Sequence, residues 1–220
     1  MTAHDSRWRE ETLRLYGRYE REIVVAHDLC PWASRVRKDG RMGEHVLLQD
    51  DGDVEASIAT LAALSPDIDL ALLLYPRMRV SRDAFERFAA KVRERTVADS
   101  AGSAAPFVLV AFHPEAEANI SAAERLIPFL RRTPDPTIQV VRSGVLERVR
   151  ASVTEGTQFI DVRYLDRLEP EPPTIRERIA QANLATTLRI GVDVLAGELG
   201  DIIRDREATH RRLEAAAPTP

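Results

Sequence analysis

The run Leu70-Ala71-Leu72-Leu73-Leu74-Tyr75 carries no charged or amide side chain on either face of an extended chain, and it constrains the fold more than any other feature. A strand with one solvated face alternates apolar and polar residues. A continuous apolar stretch this short belongs instead to a strand covered on both sides, so helices must lie above and below a sheet. Phe107-Val108-Leu109-Val110-Ala111-Phe112 repeats the pattern and is expected to be a second doubly buried strand. Thr137 to Arg142 reads as another strand, residues 44–49 as a short one, and residues 157–162 alternate like a strand with one wet face.

Helical periodicity fills the gaps between these strands. A first helix is expected over residues 6–29, with Trp8, Thr12, Leu15, Tyr16, Tyr19, Ile23 and Ala26 on one face at spacings of three and four. Cys30 continues that stripe, and Pro31 disfavours helical geometry at Cys30, so the helix should stop there. Residues 34–43 then read as a basic loop ending in Gly43. Val54, Ile58, Leu61 and Ala62 mark a helix that ends before Pro66. Ser81, with Asp83 behind it, caps a helix whose stripe is Phe85, Phe88, Ala89 and Val92. Ser121 and Glu124 have the spacing of a capping box ahead of a short helix that Pro128 interrupts.

Glu169-Pro170-Glu171-Pro172-Pro173 is the clear linker. Beyond it Thr174 and Glu177 form a second capping box for a helix carrying Ile175, Ile179, Ala182 and Thr186. Gly191 breaks that helix, and a charged one continues to about residue 216. The strands of residues 107–112 and 137–142 have no long helix between them, which favours a mixed sheet over a purely doubly wound one. The expected fold class is therefore α/β: a layered domain with a mixed, mostly parallel sheet of about five strands flanked by helices. The expected organisation is a core of residues 1–169, a linker at 170–173 and C-terminal helices over 174–220.

Composition narrows the function. With 220 residues, 44% hydrophobic and 30% charged, the chain can bury a substantial core and is not of a disordered class. A net charge of −4 disfavours non-specific binding to nucleic acid or to an acidic membrane surface. One cysteine forms no internal disulfide, and the first eleven residues show no apolar signal segment. The longest apolar run is too short to span a bilayer. A cytoplasmic location is the expectation.

Three punctuated segments stand out: Leu29-Cys30-Pro31-Trp32-Ala33, Phe112-His113-Pro114 and Arg131-Arg132-Thr133-Pro134-Asp135-Pro136. On these the chain resembles an uncharacterised bacterial family, the domain of unknown function DUF1415. That family has a leucine-cysteine-proline-aromatic-alanine motif after its first helix, a Phe-His-Pro motif, and an asparagine-arginine-serine-proline-tyrosine-proline segment. The stretch Asn183-Leu184-Ala185-Thr186-Thr187-Leu188-Arg189-Ile190-Gly191 is similar to its closing helix, so the likeness runs over about residues 11–191. Carried over by position, the resemblance implies roles for Cys30, Pro31, His113, Pro114, Arg132, Pro134, Pro136, Arg142 and Asn183. The sequence departs from the family pattern at Arg131, Asp135 and Gln139, where the family has asparagine, tyrosine and histidine.

The residues admit several chemistries. Cys30 is a nucleophile or soft ligand with His113 as base or partner, or else a small apolar residue finishing a helix stripe. Placed at a helix C-terminus, its thiolate would be disfavoured by the helix dipole unless a cation stood close by. His113 directly follows a buried strand, where α/β sheets commonly bind ligands, or is a loop histidine bonded to a backbone carbonyl. His27 and Cys30 share a helix face at i and i+3, and with His113 and His45 they would make a metal set.

Arg131, Arg132 and Arg142 have the geometry to grip a carboxylate or phosphate, and Arg77 and Arg79 would reach the same sheet end if the strands are parallel. Asp39-Gly40-Arg41-Met42-Gly43 lacks the lysine and hydroxyl residue of a phosphate loop, and no GxSxG elbow exists. The leading expectation is an enzyme binding a small anionic metabolite. Cys30 and His113 are its expected catalytic residues, and Arg131, Arg132, Arg142 and Asn183 its expected substrate-binding residues. The alternatives are a non-catalytic ligand-binding module, self-associating through the helix from Val192 onward, and a metal- or haem-dependent oxidoreductase using His113. The sequence points to no particular cofactor.

Overall fold

The structure, a computed structural model, describes residues 2–99, 106–145 and 174–217. The expected strand at 157–162 and the linker at 169–173 lie outside the described residues.

Helix α1 (Ala3–Tyr19) opens on a capping box in which Thr2 and Asp5 satisfy each other's backbone amides. It runs on into a wider, π-helical segment, Glu20–Val25. There the amides of Ala26 and Leu29 reach back five residues, to Arg21 and Val24, at 3.1 and 2.9 Å. Asp28 in a left-handed conformation (φ 50°) ends the helical path, so it stops short of residue 29. Cys30 is extended, as a residue before proline should be, and Pro31 occupies the first turn of α2 (Pro31–Lys38).

The basic loop expected at residues 34–43 is thus helix up to Lys38, then a short turn, and already strand at Met42 and Gly43. Proline tolerates the first helical position because that amide has no partner to lose. Arg37 of α2 reaches the buried carboxylate of Glu20 at 2.6 Å, which ties α2 to the π-helical turn.

Strand β1 (Met42–Val46) is next, then α3 (Val54–Ala62), β2 (Leu70–Leu74), α4 (Arg82–Ala98), β3 (Phe107–Phe112), α5 (Ala123–Leu130) and β4 (Thr137–Arg142). The order across the sheet is β1-β2-β4-β3. β1 and β2 pair in parallel, with Met42 opposite Leu70, whereas β4 runs antiparallel to both β2 and β3. The sheet is mixed, as expected, with four strands among the described residues, but it is not mostly parallel: β4 lies between β2 and β3, so two of the three pairings are antiparallel. β3 corrects the expectation of a doubly buried strand. It is an outer strand among the described residues, and Val108 is 41% exposed. A capping box at Ser121 is likewise not formed: Ala122 caps α5, and Ser121 bonds to Asn119 instead.

β2 splits the core in two. Leu70, Leu72 and Leu74 enter an apolar layer with Tyr16, Tyr19, Ile23, Leu126 and Phe129. Ala71, Leu73 and Tyr75 enter the opposite layer with Phe85, Phe88, Val92 and Leu61. The all-apolar run is covered by α1 and α5 on one face and by α3 and α4 on the other.

The C-terminal helices are α6 (Ile175–Ile190), opened by the expected Thr174–Glu177 capping box, and α7 (Val192–Ala215). Gly191 between them has a φ of 101°, which favours glycine over any side chain. Leu195, Leu199 and Ile202 of α7 lie in the α1/α5 layer, so this helix is part of the core packing. No helix among the described residues is long and apolar enough to cross a membrane.

Asp205 pins α7 to α1 by accepting from Arg14 at 2.8 Å and from Arg18 at 2.5 Å. The bonds from Arg14, with those from Arg18, hold its carboxyl well below the usual carboxylate range. A depressed folded-state pKa gives stability that is present above the unfolded value near 4 and is lost as pH falls through the folded one. Asp205→Asn should therefore cost about 1 kcal/mol at pH 7. The gap from the parent should shrink below pH 3, as seen in urea unfolding followed by circular dichroism at both pH values.

Candidate functional site

Because β4 is the antiparallel member, its start meets the ends of β2 and β3: Thr137 stands opposite both Leu74 and Phe112. The exits of β1, β2 and β3 and the entry to β4 therefore share one sheet edge. His113 and the Arg131–Pro136 segment meet there, with Arg77 and Arg79 beside them. Arg142 lies at the other end of β4, opposite Phe107. Its guanidinium caps the carbonyls of Ile68 and Ser65 at 2.7 Å each and covers the Phe107 ring. This corrects its grouping with the anion-binding arginines, since six residues of extended strand separate the two ends.

The strand period decides which face each residue takes. Leu109 is in the α3/α4 layer, so His113 projects to that side, where its ring lies 5.9 Å from Phe85. Both ring nitrogens are engaged by backbone. Nδ1 accepts from the Glu115 amide at 3.3 Å, so Nε2 carries the proton and donates to the Val80 carbonyl at 3.1 Å. Burial lowers the imidazole pKa and keeps it neutral. His113 thus staples the β3 exit to the turn after β2, with no nitrogen left over for proton transfer in this arrangement.

Cys30 sits on the opposite side. Tyr19 donates to the Leu130 carbonyl at 2.6 Å in the α1/α5 layer. Burial, opposed by Arg131 and aided by Cys30, raises that phenol's pKa. Cys30 and Arg131 therefore both lie within electrostatic reach of Tyr19. Arg131 also stacks on Phe112, which points away from His113's face. Cys30 is the N-cap of α2, which reverses the sign of the dipole expected at this position. Asn183 is half-buried on α6, which packs against α5.

His27 bonds to Glu198 at 2.6 Å, and His45 lies within β1. Among the described residues no three His, Cys, Asp or Glu gather as a metal site. The structure thus brings His113 and Arg132 near one another, and leaves Cys30 with Arg131 on the other face.

Arg132 donates to the Pro114 carbonyl at 2.8 Å and braces the loop after His113. The next residues are held hard. The hydroxyls of Thr133 and Thr137, both fully buried, donate to the Asp135 carbonyl at 2.7 and 2.8 Å. Prolines on either side restrict the backbone where the chain bends at Pro134 and Asp135. This segment aims the Asp135 side chain, 2% exposed, at α7. Arg206 Nε donates to Asp135 Oδ1 at 2.9 Å, and His210 Nε2 stands 3.4 Å from the same oxygen.

A cavity of about 470 Å³ opens beside this pair, walled by the turn Met78–Ser81, by His113–Glu115 and by Arg206, His210, Arg211 and Glu214 of α7. Ser81, the N-cap of α4, accepts from the Ala84 amide at its rim, so the positive end of that helix faces the cavity. Arg79 pairs with Glu214 across the opening.

The model of one protein family, described as "Protein of unknown function (DUF1415)", matches residues 16–169. The chain belongs to the DUF1415 family. No curated protein and no solved structure matches it. The family match ends before α6 and α7, so DUF1415 residues supply two walls of the cavity and the C-terminal helix supplies the third. Sequence reasoning missed Arg206 and His210. Their signal was periodicity, because Leu195, Leu199, Ile202, Arg206, His210 and Leu213 form one stripe at spacings of three and four.

Proposed function

We propose that this DUF1415 protein binds a small anionic molecule in the cavity at the carboxyl edge of its sheet. The observation that carries the reading is the cavity itself, of a size for a metabolite, set where the β2 and β3 exits, the N-terminus of α4 and the arginines of α7 converge. Arg211 has no carboxylate partner among the described residues. The Arg79–Glu214 pair is exposed, and such a pair contributes about 0–1 kcal/mol, so an incoming carboxylate or phosphate can displace Glu214 from Arg79. Glu115 and Glu207 keep the rim from being uniformly basic and favour a compact anion over a polyanion.

Of the residues first expected to form the site, His113 and Arg132 serve here by shaping the wall. An enzymatic role would need a proton-transfer group in the cavity other than His113. A screen of small carboxylates and phosphate monoesters by thermal shift tests the reading. At least one should raise the melting temperature of the parent by several degrees, and Arg79→Ala with Arg211→Ala should abolish most of that shift. A double variant that responds as the parent does, or a parent that responds to none, would sink the proposal.

A further inference from the structure

The cavity contains a second imidazole, and its position differs in kind from that of His113. His210 is 5% exposed yet lines the cavity. Its ring lies 4.8 Å from Trp8, and its Nε2 faces Asp135. An ionised carboxylate only accepts, so in the neutral ring the nitrogen facing Asp135 carries the proton and Nδ1 keeps the lone pair. Nδ1 has no hydrogen-bond partner among the described residues, and Asp135 Oδ2 is buried without one. A base therefore stands in the cavity wall with an underused carboxylate beside it.

We infer that the cavity is a proton-linked anion site: an anion held by Arg79 and Arg211 draws a proton from solvent onto Nδ1 of His210, whose imidazolium then lies between the ligand and Asp135. This rests on the anion-binding reading above and adds the group that answers the ligand. The only bond formed is N–H at Nδ1, with the proton supplied by the buffer.

The charges around the ring explain why a ligand is needed. Burial drives the His210 pKa down to about 4, Asp135 opposes it, and Arg206 and Arg79 add to the depression. From α7 the ring also faces Glu207, Arg211 and Glu214. The β3 exit contributes Glu115 and the neutral His113, and behind Trp8 lie His4, Asp5 and Arg77. Asp135 already shares its charge with Arg206, so alone it leaves the imidazole neutral. A second anion offsets the two arginines and supplies an acceptor for Nδ1–H. His113 cannot substitute, because both its nitrogens are bonded to backbone.

By linkage, a ligand that raises this pKa binds more tightly as pH falls, by at most about tenfold per pH unit for one proton. Sulfate is the probe, since it has no proton to release between pH 5.5 and 7.5. Calorimetric titration of the full chain, in two buffers of different ionisation enthalpy, should show proton uptake on binding and an affinity that rises severalfold from pH 7.5 to 5.5. His210→Gln should bind sulfate with no buffer-dependent heat and no pH slope.

Uptake that persists in His210→Gln, or sulfate binding by the parent without uptake, would overturn this inference alone. A parent that fails to bind sulfate at pH 5.5 would overturn the anion reading with it. Should His210→Gln not fold, NMR of the His210 ring in the parent decides. Saturating sulfate must raise its titration midpoint by at least about two units, and a smaller rise or an unmoved midpoint refutes the proposal.

Discussion

Arg206→Ala is expected to destabilise the protein by roughly 3–5 kcal/mol, because it leaves a buried carboxylate with no cation. Asp135 is 2% exposed, and two buried threonine hydroxyls fix its carbonyl, so it cannot swing out to water when Arg206 is removed. His210 offers only a longer contact of 3.4 Å and is held neutral by burial. Removing the charge should repair much of the loss. Asp135→Asn in the Arg206→Ala background should recover about half of it, while Asp135→Asn alone strands the guanidinium of Arg206. Urea unfolding of the four proteins forms a double-mutant cycle. A loss under 1 kcal/mol for Arg206→Ala, or no recovery in the double variant, would show that the pair does not anchor α7.

Trp8→Ala should cost a similar amount, roughly 3–5 kcal/mol, by opening a large cavity where four elements meet. The indole is 3% exposed. It donates to His4 at 3.0 Å, lies under the Arg77 guanidinium at 5.1 Å, and meets the His210 ring edge-on. Arg77 in turn reaches the Leu48 carbonyl and Asp5. One side chain thus joins α1, the exits of β1 and β2, and α7. Trp8→Phe keeps an aromatic surface against both cation and imidazole and loses mainly the bond to His4, so about 1–2 kcal/mol is expected. Equal losses in the two variants would mean that the N–H bond dominates. A small loss in both would mean that the junction is held by its other contacts.

The sheet was largely legible in the sequence because strands buried on both faces leave no ambiguity of period. Leu70–Leu74 could only be a central strand, and its side chains divide between two apolar layers. Phe107–Phe112 reads the same way, yet it is an outer strand among the described residues. Its apolar content reflects contact with α4 and Arg131, which no local pattern announces. The first helix was read at nearly its full length, but the π-helical turn was not, since a widened turn depends on packing around Glu20 and Ile23. Pro31 was read as a terminator when it is a first-turn residue. Both roles keep Cys30 out of a helix, and only the backbone conformation from Pro31 to Lys38 distinguishes them.

The candidate site was half legible. Chain punctuation marked His113 and the Arg131–Pro136 segment as sheet-edge residues, and strand direction brought them together. Side-chain orientation could not be read from spacing. His113 falls on the α3/α4 side because β3 has a period of two, whereas Cys30, between α1 and α2, lies near Tyr19 in the other layer, and the loop lengths that set these registers cannot be read in advance. Asp135 proved to be the partner of Arg206, a residue outside the family match.

By itself the sequence determined the layered α/β class, the position of the buried central strand, the helix caps at Ser81 and Thr174, and the break at Gly191. These rest on short-range stereochemistry and on whether a side chain prefers water. The tertiary structure alone decided that β4 runs antiparallel between β2 and β3, that His113 is spent on backbone bonds, and that α7 closes a cavity over Asp135. Those outcomes depend on contacts between residues tens of positions apart, whose free energy is set by packing geometry and desolvation.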